Sequence, residues 1–379
     1  MSLGAPLEGL RVLELARILA GPWAGQLLSD LGATVVKVES PEGDDTRRWG
    51  PPFLERDAET AAAYFHACNR GKRSVVADFS TEEGRALVRR LAGEADVVIE
   101  NFKLGGLDKY GLGWEALSLE NARLVWCSIT GFGQDGPYAQ RAGYDYIIQG
   151  MSGLMSVTGE PSAEPQKVGV AVVDVFTGVY AATAILAAIH QRGRTGRGQR
   201  IDMALMDVGV AVTANQAMNF LASGVAPRRM GNAHPNIVPY QVFACSDGHA
   251  IVAVGNDGQF RRLSRLLGLE PLGADPRYAT NPQRLAHRDE LVGLLAPAVA
   301  AMTRAELLAA CEAEGVPAGP INDMADVFAD PQVVARKLRI DPEGVPGVRS
   351  PLAFSEAALS LDRASPRLGQ DQGREDPWA

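Results

Sequence analysis

The sequence predicts an α/β fold: a doubly wound, Rossmann-like large domain built on a parallel sheet, with a smaller α+β domain. Three observations carry this. Strand-like runs alternate with helix-like runs through the first 130 or so residues, which is the pattern of βαβ units. Near residue 225 the style changes, and a hairpin signal follows with Asp247-Gly248 at its turn. The 379 residues also exceed what one hydrophobic core usually holds.

Residues 11–16 read as a first strand, 22–31 as a helix closed by Gly32, and 34–39 as a second strand. A strand–helix–strand opening calls for a parallel pair. A third strand is expected at 74–79. Ser80 with Glu83 then makes a capping box for a helix to about Glu94, with Leu87, Val88 and Leu91 turned inward. Strands at 97–102 and 123–129 complete five, and such sheets collect ligands at the carboxyl ends of their strands. The turn at 16–25 lacks the Gly-x-Gly-x-x-Gly spacing of a dinucleotide fold, and 193–198 lacks the Lys-Ser/Thr ending of a phosphate loop. Residues 201–223 predict one long helix leaving the first domain. Beyond it come a hairpin (241–244 with 251–254), helices near 259–267 and 285–301, and a helix from Thr303. Glu306 completes a capping box for that last helix and Gly315 stops it. The expected domains are 1–200 (large domain, first part), 201–224 (linker helix), 225–330 (small domain) and 331–379. The last is a return segment completing the large domain, with a loose polar tail after Gly369.

A hydrophobic content of 46% with 22% charged residues describes a soluble globular chain. The net charge of −8 argues against general nucleic-acid binding, while local Lys and Arg groups still permit an anionic ligand. Cys68, Cys127, Cys245 and Cys311 lie far apart without metal-ligand spacing, which predicts free thiols in a reducing compartment and no metal site. No apolar run of about eighteen residues and no signal-like start are read, so a cytoplasmic location and no membrane partner are expected.

Asp174 stands out. The apolar run Lys167-Val-Gly-Val-Ala-Val-Val173 meets this carboxylate, and a small-residue helix follows. Phe176, Val179, Tyr180, Thr183 and Leu186 recur at spacings of three and four, making the expected buried face. Asp174 falls at the expected N-cap, where backbone N–H groups and the helix dipole favour the ionised form by about 0.3–1 kcal/mol. A carboxylate held ionised at an apolar wall is a candidate nucleophile, although a plain cap is the commoner role for a lone Asp in this setting.

Ordered motifs along the whole chain decide between these. Leu7-Glu-Gly-Leu-Arg-Val-Leu-Glu-Leu15, Ala20-Gly-Pro22, Leu31-Gly-Ala-Thr-Val-Val-Lys-Val-Glu39 and Gly43-Asp-Asp-Thr-Arg47 come first. Asn69-Arg-Gly-Lys-Arg-Ser74, Ile99-Glu-Asn-Phe102, Ser128-Ile-Thr-Gly-Phe-Gly133, the run from Lys167 to Asp174, Thr195-Gly-Arg-Gly-Gln199 and Pro366-Arg-Leu-Gly369 follow. Together they resemble the class III (CaiB/BaiF-type) CoA-transferases. The resemblance implies a transferase with no tightly bound cofactor, using a coenzyme A thioester as co-substrate and a small carboxylic acid as acceptor. It implies Asp174 as the nucleophile, passing through an aspartyl anhydride and an aspartyl-CoA thioester. It implies that Ile18, Asn101 and Phe102 line the CoA path, that Lys109 is a basic contact, and that Lys72 and Arg73 lie near the phosphates. Ser40 stands where the family has an adenine-contacting Arg. A homodimer of interlocked rings is also implied.

Developing oxyanions need N–H donors, for which Gly255-Asn-Asp-Gly258 is the candidate loop, with a plain turn as the alternative. His234, in a stretch shared with similar relatives, is expected to border the acyl pocket. Within the family, Asp44-Asp-Thr-Arg-Arg-Trp-Gly-Pro-Pro-Phe53, Cys127–Pro137, Arg141-Ala-Gly-Tyr-Asp145 and Ile237-Val-Pro-Tyr-Gln241 are most like the succinate–hydroxymethylglutarate CoA-transferases. A dicarboxyl-CoA substrate such as succinyl-CoA is therefore expected. Its distal carboxylate calls for an Arg fork, with Arg47 first and Arg141 second. Two alternatives stay open. A 2-methylacyl-CoA racemase would need a proton-transfer partner where Tyr144 stands, and a phenol with an ordinary pKa of about 10 is poorly suited to that. A non-catalytic acyl-CoA-binding relative would lack the carboxylate.

Overall fold

The computed structural model describes residues 4–378. The chain divides into two units. One contains the chain through Met155, Lys167–Val225 and the residues from Pro331 onward; the other contains Ser156–Gln166 and Ala226–Asp330.

In the first unit, among the described residues, six parallel strands form one sheet: β1 (Arg11–Glu14), β2 (Thr34–Glu39), β3 (Arg73–Val76), β4 (Val97–Glu100), β5 (Val125–Thr130) and β6 (Arg200–Ala204). Their order is β3-β2-β1-β4-β5-β6, so the winding reverses between β1 and β4, where such folds open a crevice for ligands. Helices cover both faces, which explains why Val12, Leu13, Val35, Val36, Val97, Val98 and Ile99 are all buried. The sixth strand lies inside the stretch expected to be a linker helix. Arg200 and Asp202 are exposed while Ile201 and Met203 are half-buried, a period of two too short to show against the apolar run behind it. Two helices, Leu205–Ala211 and Ala214–Ser223, replace the single long one. The third-strand helix is Glu82–Glu94, and Thr81 rather than Ser80 caps it by accepting the Gly84 N–H at 3.1 Å.

The long helix Val172–Thr195 packs on the helix Ala20–Asp30 and on the sheet, but through the face opposite to the expected one. Val173, Thr177, Gly178, Ala181, Ala182, Ile185 and Ala188 are buried, while Phe176, Val179 and Tyr180 are exposed. Close approach decides this: a Cβ at Gly178 would lie 2.8 Å from the Ala20 carbonyl oxygen and from the Trp23 Cβ. Small residues bring the two helices together, and Phe176, Val179 and Tyr180 are left outside. This helix is long and apolar enough to cross a bilayer, contrary to the sequence reading, and one face of it, with Val173, Ala181, Ile185 and Ala188, lies in the core.

The tail is not loose. Asp371 accepts the Ser74 N–H at 3.0 Å, Arg73 donates to the Pro377 carbonyl, and Trp378 is buried in one of the unit's two core clusters, with Arg11 lying over its ring at 5.8 Å. The return segment thereby covers the β3 edge of the sheet. The second unit carries an antiparallel sheet of β7 (Tyr240–Cys245), β8 (Gly248–Ala253) and β9 (Ala318–Pro320) in the order β9-β8-β7. Its own core contains Phe243, Val252, Phe260, Leu263, Tyr278, Leu291, Leu295 and Leu307. The Thr303–Glu306 capping box forms as read, and all four cysteines are free and buried.

Candidate active site

Asp174 is the third residue of its helix, and Ala171 is the N-cap. The capping acceptor comes from another helix. Asp145 Oδ1 accepts the backbone N–H groups of Val173 (2.8 Å) and Asp174 (3.3 Å), and Gln149 steadies it by donating to Oδ2 at 2.7 Å. Gln149 Oε1 also accepts the Val168 N–H at 2.9 Å, tying down the run that leads to Asp174. Asp145 therefore takes the role expected of Asp174 and leaves the Asp174 carboxylate without a hydrogen-bond donor among the described residues. Burial first, and the Asp145 charge second, push the Asp174 carboxyl up to about 7. It titrates near neutrality instead of being held ionised, which corrects the helix-cap argument. Tyr64 is a neighbour that no motif or spacing marks. Burial, then the charge of Asp174, push its hydroxyl up to about 12, so it stays protonated.

Asp174 opens into a cavity of about 380 Å³ that Ile18, Asn101, Phe102, Lys109, Arg141 and Tyr144 also line. These are seven of the residues singled out in the sequence, gathered from well-separated segments. A second groove of about 550 Å³ shares Arg17, Phe102 and Tyr110 with it and runs past Glu39, Ser40 and Phe79. Both lie at the carboxyl ends of the strands flanking the reversal, the ligand side of the fold. Phe102 packs on Phe79 at 6.0 Å, and Lys109 is exposed over the Tyr110 ring at 4.6 Å. Arg141 is exposed and lies over the Tyr138 and Phe132 rings at 4.5 and 5.5 Å. No carboxylate among the described residues pairs with it. Asn101 is engaged on both sides of its amide by the Arg17 backbone, accepting N–H at 3.0 Å and donating to C=O at 2.7 Å, so it shapes the wall.

Other expected contacts lie elsewhere. Arg47 is buried: Nε and Nη2 grip both Glu39 oxygens at 2.8 Å, Nη1 reaches Glu59 at 2.9 Å, Nη2 reaches the Pro366 carbonyl at 3.1 Å, and the plane stacks 3.7 Å over Phe65. Its fork is fully used inside the protein and cannot anchor a substrate carboxylate. Lys72 is likewise buried, bound to Glu14 (2.8 Å), the Pro22 carbonyl (2.8 Å) and Asn69 (2.8 Å), and Arg73 lies under the tail, so neither lines the two cavities. His234 and Gly258 belong to the second unit. His234 stacks on Tyr240 at 5.1 Å, and its Nδ1 accepts the Asn236 N–H. Gly258 lies in the first turn of the helix Asp257–Leu266, beside a loop whose Gly255 N–H is already bonded to Gln259 Oε1 at 2.7 Å. Among the described residues no His, Cys, Asp or Glu cluster could hold a metal ion.

Comparison with known proteins matches this arrangement to one family. A sequence profile of CoA-transferase family III matches residues 7–372. A succinate–glutarate CoA-transferase of Agrobacterium fabrum is 59% identical over 377 residues, covering 97% of this chain and 94% of its own. A human succinyl-CoA:glutarate CoA-transferase is 41% identical over 373 residues, with 96% and 84% covered. The crystal structure of a CaiB/BaiF family protein from Brucella suis superposes with a TM-score of 0.89 at 64% identity, covering 97% of each chain. The chain belongs to CoA-transferase family III and is a CoA-transferase.

Proposed function

We propose that this enzyme passes CoA from succinyl-CoA, or another dicarboxyl-CoA, to a small dicarboxylic acid by covalent relay on Asp174. One observation carries the reading: Asp174 presents, to the cavity that also holds Arg141, a carboxylate that no described residue supplies with a hydrogen-bond donor. The Asp174 oxygen attacks the thioester carbonyl, the C–S bond breaks, and a mixed anhydride and CoA thiolate result. The thiolate attacks the aspartyl carbonyl, expelling the first acid and leaving an aspartyl-CoA thioester. The acceptor carboxylate attacks that thioester, giving a new anhydride, and the returning thiolate forms the product and frees Asp174. No proton is transferred at any step, so a single ionised carboxylate suffices. With Arg47 occupied, Arg141 is the fork that would hold the distal carboxylate of a dicarboxylate. The names of the relatives support substrates of the succinate and glutarate kind.

The exposed apolar side chains of Phe176, Val179 and Tyr180, with Met218 and Leu221 on a later helix, support a chain that pairs with a second copy. Free buried thiols fit a reducing cytoplasm. A panel of acids incubated with succinyl-CoA, read by mass spectrometry of the new thioesters, tests the substrate class. C4–C6 dicarboxylates are expected to lead; preference for formate, carnitine or an aromatic acid would refute the assignment.

A further inference from the structure

The turn joining β1 to the helix Ala20–Asp30 forms a wall common to both cavities. Ala16 and Arg17 face the larger groove, and Arg17, Ile18 and Leu19 face the smaller one. Ile18 sits at φ 72°, a left-handed conformation that a β-branched residue adopts only under constraint. Ordinary secondary structure does not supply that constraint, because side chains from four distant segments bind the turn's backbone. Lys37 Nζ donates to the Ala16 carbonyl at 2.7 Å. Asn101 takes both backbone groups of Arg17. Asp44 accepts the Ile18 N–H at 3.3 Å, and Cys68 Sγ lies 3.6 Å from the Ile18 carbonyl oxygen.

Two of these supports are one unit. Lys37 and Asp44 form an ion pair at 3.0 Å, Lys37 also reaches Glu14 at 3.1 Å, and all three side chains are 1% exposed or less. Asp44 in addition accepts the N–H and hydroxyl of Thr46 at 3.0 and 2.7 Å, so its oxygens are fixed where Ile18 needs them. Burial works against the Asp44 charge, but Lys37 and Thr46 hold its carboxyl at about 2. A buried ion pair by itself contributes little net stability. Its value here is as a rigid bracket under a strained wall.

We infer that Asp44, paired with Lys37, is a positioning residue for acyl-CoA binding: it holds the left-handed Ile18 turn that both cavities share. The inference rests on the reading that these cavities take the acyl-CoA. It makes a claim that a merely structural role would not: the need for Asp44 should vanish when residue 18 can adopt positive φ unaided. Glycine does so readily.

The test is CoA binding by titration calorimetry on the full-length protein, with melting curves as a control for folding. Asp44→Asn is expected to weaken CoA binding about tenfold. Adding Ile18→Gly to Asp44→Asn should bring the Kd back to within about threefold of Ile18→Gly alone. Should Asp44→Asn fail to fold, Asp44→Glu keeps a charge for Lys37 while carrying its oxygens one methylene away from Ile18, and the same loss and rescue are expected. A folded Asp44 variant with wild-type Kd overturns the inference. So does a weakened Kd that Ile18→Gly leaves unchanged. Absence of CoA binding by the wild type would instead overturn the reading on which the inference rests.

Discussion

Replacing Asp174 by Asn is expected to stabilise the protein above neutral pH while abolishing transfer. The carboxyl is pushed from 3.8 to about 7 by burial and by Asp145. A raised carboxyl means that the folded chain keeps a proton that the unfolded chain has released between those values. The stability this proton confers is therefore fully present below about pH 4 and is lost as pH rises through about 7. Three units correspond to about 4 kcal/mol at most, at about 1.36 kcal/mol per unit. The side chain opens partly onto a cavity, where water screens the charge, so about 1–2 kcal/mol is a fairer expectation. Asn cannot ionise and avoids the loss. Thermal unfolding followed by circular dichroism should show Asp174→Asn melting a few degrees above wild type at pH 8, and close to it at pH 4.5. A variant less stable than wild type at pH 8, or an offset independent of pH, would refute the reasoning.

Transfer by the wild type should fall as pH drops below about 7, since only the Asp174 carboxylate attacks; a flat rate profile between pH 6 and 8 would count against it. Asp145→Asn keeps acceptors for the Val173 and Asp174 N–H groups but removes the facing charge, so the acid limb of that profile should move to lower pH. Arg141→Ala should raise KM for dicarboxylate acceptors about tenfold with kcat little changed, since a charge-assisted bond contributes roughly 1.5–3 kcal/mol; an unchanged KM would place the anchor elsewhere. In deuterated buffer without acceptor acid, a 2-methylacyl-CoA should gain no label at its α-carbon, and rapid exchange would favour an isomerase.

Much of the frame was legible because its signals are local. The second strand, Thr34–Glu39, was read to its ends from its β-branched residues, and the Thr303–Glu306 box marked its helix start. The nucleophile candidate was legible only through ordered motifs, since a single Asp ahead of a helix is equally a cap. What sequence could not give is which charges are already paired. Arg47 and Lys72 look like ligands for anions until Glu39, Glu59 and Glu14 are found around them, the partner of Lys72 lying 58 residues away. Asp145 lies 29 residues before Asp174, and no periodicity links it to the helix that it caps. The long helix misled for a different reason. Its large apolar residues recur at helical spacing, yet close packing chose the opposite, small-residue face, a choice made by the neighbouring helix.

The central claim, a covalent relay on Asp174, is tested most directly by trapping. The enzyme is incubated with succinyl-CoA, quenched with hydroxylamine, and digested for peptide mass mapping. An activated aspartyl carbonyl, whether anhydride or thioester, should yield a hydroxamate at Asp174, formed only when succinyl-CoA is present and absent in Asp174→Asn. Full turnover by Asp174→Ala, or a hydroxamate mapping to any other carboxylate, would contradict the account.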